Sequence, residues 1–241
     1  MFETPETDAG AASPHRLDPV DEIAAGIWRW TARHPEWQPD VEWAREVASF
    51  ALAVEDALVL VDPLVPDEVW PRLDELAARH ASVAALITIP YHVRSSEQVL
   101  ERYGAKASVW GHHPAVARRL HDGSVLLPVE PGATLPGGAD AFTIGSPRRQ
   151  EQPLWFPSLR ALAFGDAIVG VEGTLRVWVW DAVDTRKRQA WYRNRFVPTL
   201  APLLELDPEH VLVTHGPPIV GGGRDALAQA IAGEPWHYRS F

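Results

Sequence analysis

Chemistry could be done from three places where an apolar run stops at a histidine or an aspartate. Tyr91 and His92 follow the run at residues 83–89, with Arg94 and Ser95 just beyond; Asp166 follows residues 159–164 within Gly165-Asp166-Ala167; His215 follows residues 211–214. A fourth stretch, Gly145-Ser146-Pro147, comes before Asp166. Any metal here would have to be held by histidine and carboxylate. A histidine could instead act as general base or activate Ser95 or Ser146 as a nucleophile. A single histidine in a turn is more often structural, so function at His92 requires partners from the other stretches.

The elements that must position these residues are legible as patterns. Residues 83–89 read as a strand buried on both faces, and Pro90 stops it because proline supplies no ladder donor. Polar residues therefore gather at the strand's C-terminal end, the usual place for ligands in layered α/β proteins. Ser95 or Ser96 opens a helix that Gly104 closes. Upstream, residues 26–31 read as a strand, and residues 46–54 and 57–62 as a hairpin around Glu55-Asp56. Residues 67–80 and 114–121 read as helices, with a strand at 107–110 between them. After Gly123 come short strands at 125–129, 140–144, 154–156, 159–164 and 174–180. A helical stretch at 186–206 is interrupted near Pro198 and Pro202; a strand at 211–214 and a helix at 224–232 follow. Strands and helices, then strands and helices again, imply two sheets packed face to face with helices outside.

Composition narrows the classes. The chain has 241 residues, 46% hydrophobic and 22% charged, as in soluble globular proteins. A net charge of −10 argues against nucleic acid and against anionic membranes. Without cysteine there is no disulfide, iron–sulfur cluster or thiolate zinc site, so any metal must be held by histidine and carboxylate. Residues 1–18 are acidic and proline-rich with no apolar core; they read as a mobile arm rather than a signal peptide, and residues 19–241 as one domain of a cytoplasmic protein.

In the spacing of these stations the chain resembles the metallo-β-lactamase superfamily. Its hydrolases are αββα sandwiches carrying His-x-His-x-Asp-His after one strand, a later histidine, a bridging Gly-Asp carboxylate and a final Gly-His-Gly. The resemblance spans residues 26–232 and implies that α/β fold. Laid on the motif, Pro90 takes the first ligand position, His92 the second, Arg94 that of the aspartate and Ser95 that of the third histidine. Ser146 takes the later histidine's place, Asp166 matches the bridging carboxylate, His215 the last ligand, and Thr214 replaces a glycine. Asp62, closing its strand in Val61-Asp62-Pro63, matches a family aspartate that orients its neighbours.

The resemblance therefore implies a degraded metal centre without two-zinc hydrolysis and with no metal cofactor expected. Arg94 is expected within salt-bridge reach of Asp166, its permanent charge standing where a second cation stood. Two alternatives are a hydrolase of a small ester, thioester or lactone using one zinc or other divalent ion on His92, Asp166 and His215, and metal-independent hydrolysis through His92 or His215. Tyr91, Arg94, Ser95 and Ser146 are the expected substrate-binding residues. Trp37, Trp43, Trp155 and Trp191 fall in connections that would border the cleft and accept an apolar or aromatic small molecule. His112 and His113 are assigned to the surface or the rim, not to a ligand set. The arginine-rich runs at 148–149 and 186–195 read as solvated faces. Exposed tryptophans would suit a homodimer.

Overall fold

A computed structural model of the chain describes residues 19–39, 41, 43–112, 114–130, 133–145, 150–179 and 186–237. The expected N-terminal arm, His113, Ser146, Arg148 and Arg149 lie outside them. One sheet has seven strands in chain order: β1 (Asp21–Ala24), β2 (Ile27–Arg33), β3 (Glu46–Val54), β4 (Ala57–Val61), β5 (Ser82–Ile87), β6 (Ala107–Gly111) and β7 (Leu126–Pro128). Strands β1 to β4 are antiparallel, whereas β4 to β7 are parallel. The parallel part needs crossovers, supplied between β4 and β5 by helix α1 (Trp70–Ala77) and between β5 and β6 by α2 (Ser96–Tyr103).

The second sheet runs from β8 (Asp140–Ala141) through β9 (Leu154–Phe156), β10 (Ala161–Phe164) and β13 (His210–Val213) to β14 (Ile219–Val220), with β10 and β13 parallel. A separate ribbon pairs β11 (Ile168–Val171) with β12 (Thr174–Val177). Helices α3 (Arg186–Trp191), α4 (Val197–Leu200) and α5 (Gly223–Ala232) complete the order.

The two-residue period of a strand decides which core each side chain joins. In β4, Leu58 and Leu60 pack with Leu73 and Leu76 of α1, whereas Ala57, Val59 and Val61 share a core with Phe156, Ala161 and Ala163 of the other sheet. In β10, Leu162 and Phe164 pack with Phe196, Leu200 and Leu227. Apolar layers thus lie between the sheets and on both outer faces, giving the expected αββα sandwich. Backbone also ties the sheets together, with Ala48 N–H donating to Thr214 O over 2.7 Å.

Several local expectations change. Residues 114–121 form turns and a 3₁₀ segment, Ala117–Arg119, rather than a helix. Leu120 is already extended, and Gly123 folds back so closely that a Cβ there would stand 2.6 Å from Ala117 O. Strands β1, β11 and β14 are additions to the sequence reading. The stretch at 186–206 stays helical but changes pitch, from α3 through a π turn at Tyr192–Phe196 and α4 to a 3₁₀ segment at Ala201–Leu206. Pro198 and Pro202 each fall in the first turn of a new segment, so the pitch changes where a proline withholds its N–H from the preceding turn.

Candidate metal centre

Four parallel strands end at one place, β4 and β5 from one sheet and β10 and β13 from the other. Asp62 follows β4, Thr88 and His92 follow β5, Asp166 follows β10, and Thr214 and His215 follow β13. The Asp62 side chain, 1% exposed, organises the group. Its Oδ1 accepts the Thr88 backbone N–H at 2.8 Å, which is where the ladder of β5 stops. Its Oδ2 accepts the Thr88 hydroxyl at 2.6 Å and His92 Nδ1 at 2.9 Å, with the Thr214 hydroxyl at 3.4 Å. A carboxylate accepting at Nδ1 turns the other ring nitrogen, Nε2, toward the cleft, the arrangement that commonly holds a metal-ligating histidine. Asp62 is therefore the orienting residue the sequence suggested.

His92 Nε2 lies 3.3 Å and His215 Nε2 3.2 Å from Asp166 Oδ1. Neither approach has hydrogen-bond geometry, so this buried oxygen is without a bond. Atoms bound to one zinc at about 2.0–2.1 Å in a tetrahedron stand about 3.3 Å apart. The two separations and the unbonded oxygen therefore fit a shared cation. The three ligand atoms lie within 4.8 Å of one another, and among the described residues this is the one group of three such side chains that converges so.

The electrostatics follow from burial. Burial and the Arg94 charge work against a proton on His92, but Asp62 and Asp166 outweigh them and its pKa is raised. His215 is shifted down by burial despite Asp166. The Asp166 carboxyl, penalised by burial, is held well below the usual carboxylate range by His92 and His215. His34, at the mouth, is pushed down to about 4 by burial and then by the positive charge of Arg94.

The backbone of the site is braced by a residue the sequence reading missed. Glu151 is fully buried, and its Oε1 accepts the N–H groups of Gly165 at 3.1 Å, Asp166 at 3.2 Å and Ala167 at 3.0 Å. Gly165 is required by close approach, since a Cβ would stand 2.5 Å from Thr88 Oγ1. On the other side, Gly216 has φ +84° and a Cβ there would fall 1.9 Å from Gly170 O. The His215 ring meets Trp178 edge-on at 5.2 Å and Trp43 at 6.1 Å.

The remaining expected residues divide. Arg94 does not pair with Asp166: no carboxylate of the described residues lies within 4.0 Å of it, and Nη1 donates to Asp62 O at 2.9 Å and Ala48 O at 3.4 Å. The reason is that two imidazoles already occupy the carboxylate's near side. Ser95 is buried, its hydroxyl accepting Val65 N–H at 3.0 Å. Tyr91 is 55% exposed, with the Arg119 guanidinium 3.9 Å over its ring.

Of the four tryptophans expected at the cleft, Trp43 borders it. Trp37 supports Trp43 through a 3.0 Å bond to its carbonyl, Trp155 is core, and Trp191 stacks on Phe196. Trp178 was not foreseen. His112 lines neither cavity of the site. The basic residues of α3 and the π turn, Arg186, Lys187, Arg188, Arg193 and Arg195, are exposed, as expected. A pocket of about 210 Å³ contains His92, Asp166 and His215, with His34, Glu36, Arg94, Trp43 and Trp178 among its walls. A wider cleft of about 680 Å³ adjoins it through His34, Tyr91 and Arg94.

Among the described residues no helix is long and apolar enough to cross a membrane. No family model matches the sequence, and no curated protein matches it. Solved structures do match. A metallo-β-lactamase from Pontibacter korlensis is 12% identical with a TM-score of 0.60, over 89% of this chain and 99% of that one. One from Hirschia baltica is 17% identical with a TM-score of 0.57, over 89% and 97%. The chemotaxis sensor ODP, described as a peroxy diiron species, is 14% identical with a TM-score of 0.59, over 90% and 95%. Likenesses over nearly the whole of each chain, together with two sheets packed face to face between helices, show that the chain has the metallo-β-lactamase fold.

Proposed function

We propose that this chain is a one-metal variant of its fold, in which His92, Asp166 and His215 hold a single divalent transition-metal ion. The reaction class is hydrolysis of a small ester, thioester or lactone. The observation that carries the reading is Asp166 Oδ1, buried and without a hydrogen bond between two imidazole nitrogens at 3.2 and 3.3 Å. When bound, such an ion supplies Lewis acidity and a water of lowered pKa. The protein's own contribution is positional. Asp62 sets the His92 tautomer, Glu151 holds the turn that carries Asp166, and Trp43 and Trp178 fix the His215 ring and keep water from its edge. A second ion finds no comparable donor set among the described residues, since Arg94 and Ser95 stand at two of the family's ligand positions and both are engaged with backbone.

The test is elemental analysis after equilibration with zinc and dialysis, combined with a panel of aryl ester, thioester and lactone substrates. One ion per chain, lost in His92→Ala and His215→Ala together with turnover, is the expected result. A protein retaining no ion, or two, overturns it. A metal-free protein that binds a small molecule is the second reading, favoured by the part-buried Arg94 cation near the cluster, and a metal count of zero would select it.

A further inference from the structure

We infer that Arg94, with Arg118 and Arg119 at the mouth, forms an anion subsite that seats a carboxylate or phosphate group of the small-molecule ligand. The inference names the ligand class of the site proposed above and rests on that reading only for the subsite's place beside the metal ion.

Arg94 is the central observation. Its partners are two backbone carbonyls, its Nε is buried with no bond, and no carboxylate of the described residues lies within 4.0 Å of it. A guanidinium this enclosed is costly to desolvate, and Asp62 and Asp166 act on it only at a distance, with no ion pair. Its nearest acid is already spent, because Asp62 gives its oxygens to Thr88, His92 and Thr214. Its backbone adds strain at φ +38°, a value that non-glycine residues seldom adopt. A cation kept under these conditions is explained by a group that arrives to pair with it.

Position supplies the second observation. Arg94 lines both the pocket that holds His92, Asp166 and His215 and the wider cleft outside it. That cleft carries Arg94, Arg118 and Arg119 against one carboxylate among its described walls, Glu36. The local excess is positive in a chain whose net charge is −10. Arg118 and Arg119 are exposed, and Arg119 is steadied over the Tyr91 ring. They would draw an anion in, and Arg94 would hold it with the planar, bidentate donor geometry that carboxylates and phosphates fit.

Anion binding is tested on protein freed of metal by chelator and dialysis, so that no ion can hold the probe. Isothermal titration with sodium acetate and with inorganic phosphate, in separate arms, identifies which oxyanion is preferred. Wild type is expected to show saturable, salt-sensitive binding, weakened about tenfold or more in Arg94→Gln and about threefold or more in the double variant Arg118→Ala/Arg119→Ala. The double variant changes exposed residues and so remains informative should Arg94→Gln fail to fold. Absence of saturable binding of both anions by wild type overturns the inference. So does unchanged binding in the double variant or in a folded Arg94→Gln. Zinc content measured in the same double variant separates the two proposals: one ion per chain with weakened anion binding supports both, whereas anion binding by a wild type that retains no zinc supports the subsite and rejects the metal centre.

Discussion

Replacing Asp62 by Asn changes one atom and tests whether the site is organised from behind. The carboxylate accepts three close bonds, from Thr88 N at 2.8 Å, Thr88 Oγ1 at 2.6 Å and His92 Nδ1 at 2.9 Å, at 1% exposure. Asparagine keeps an acceptor for the Thr88 N–H but presents an amide N–H₂ to the other two donors. The threonine hydroxyl can turn and accept. His92 can accept only by moving its proton to Nε2, which removes the lone pair that faces Asp166. Bonds to a charged acceptor are worth about 1.5–3 kcal/mol and neutral ones about 1, so three weakened or reversed bonds cost about 2–4 kcal/mol. For a domain of this size that is a fall in Tm of about 4–16 °C. Losing the tautomer lowers metal affinity about 10–100-fold. Urea denaturation of metal-free protein measures the first, and competition with a chromophoric zinc chelator the second. A variant within about 1 kcal/mol of wild type and equal to it in zinc affinity would refute the orienting role.

Three further outcomes follow from the same geometry. Glu151→Ala strands the N–H groups of Gly165, Asp166 and Ala167 and should cost about 3 kcal/mol or more by chemical denaturation, with Glu151→Gln recovering part of it; equality of the two variants would contradict the bracing role. Gly216→Ala meets both a φ of +84° and backbone 1.9 Å away, so it should yield little folded protein on expression at 37 °C, and a well-folded variant would show that the turn can move. Asp74 is held below the ordinary carboxylate range by its Arg102 bonds at 2.7 and 2.5 Å. A depressed folded pKa stabilises above the unfolded value and is lost as pH falls through the folded one. Asp74→Asn should therefore cost less than about 1 kcal/mol at pH 7, this pair being 41–42% exposed, and the gap should close below about pH 4 in paired thermal melts.

The fold was legible because strand alternation and the punctuation by Pro90, Gly104 and Gly123 are local signals. The positions of His92, Asp166 and His215 at strand ends followed from the same pattern. The role of Arg94 was not legible. Its spacing in the motif suggested a pair with Asp166, but two histidines from different sheets claim that carboxylate, a competition that exists only in three dimensions. The bond of the Ser95 hydroxyl to Val65, thirty positions upstream, was out of the sequence's reach for a related reason. Glu151 left no trace, since a lone glutamate in a loop has no periodicity, and its three acceptor bonds arise only when β10 ends beside it. Residues 114–121 show the opposite failure, a stretch that reads as a helix where the chain turns back locally and seats Gly123 against Ala117.

The most direct measurement is anomalous diffraction at the zinc edge from crystals equilibrated with zinc. One peak is expected, within bonding distance of His92 Nε2, Asp166 Oδ1 and His215 Nε2. Two peaks sharing Asp166, or none with the three side chains unchanged, would contradict the one-metal reading.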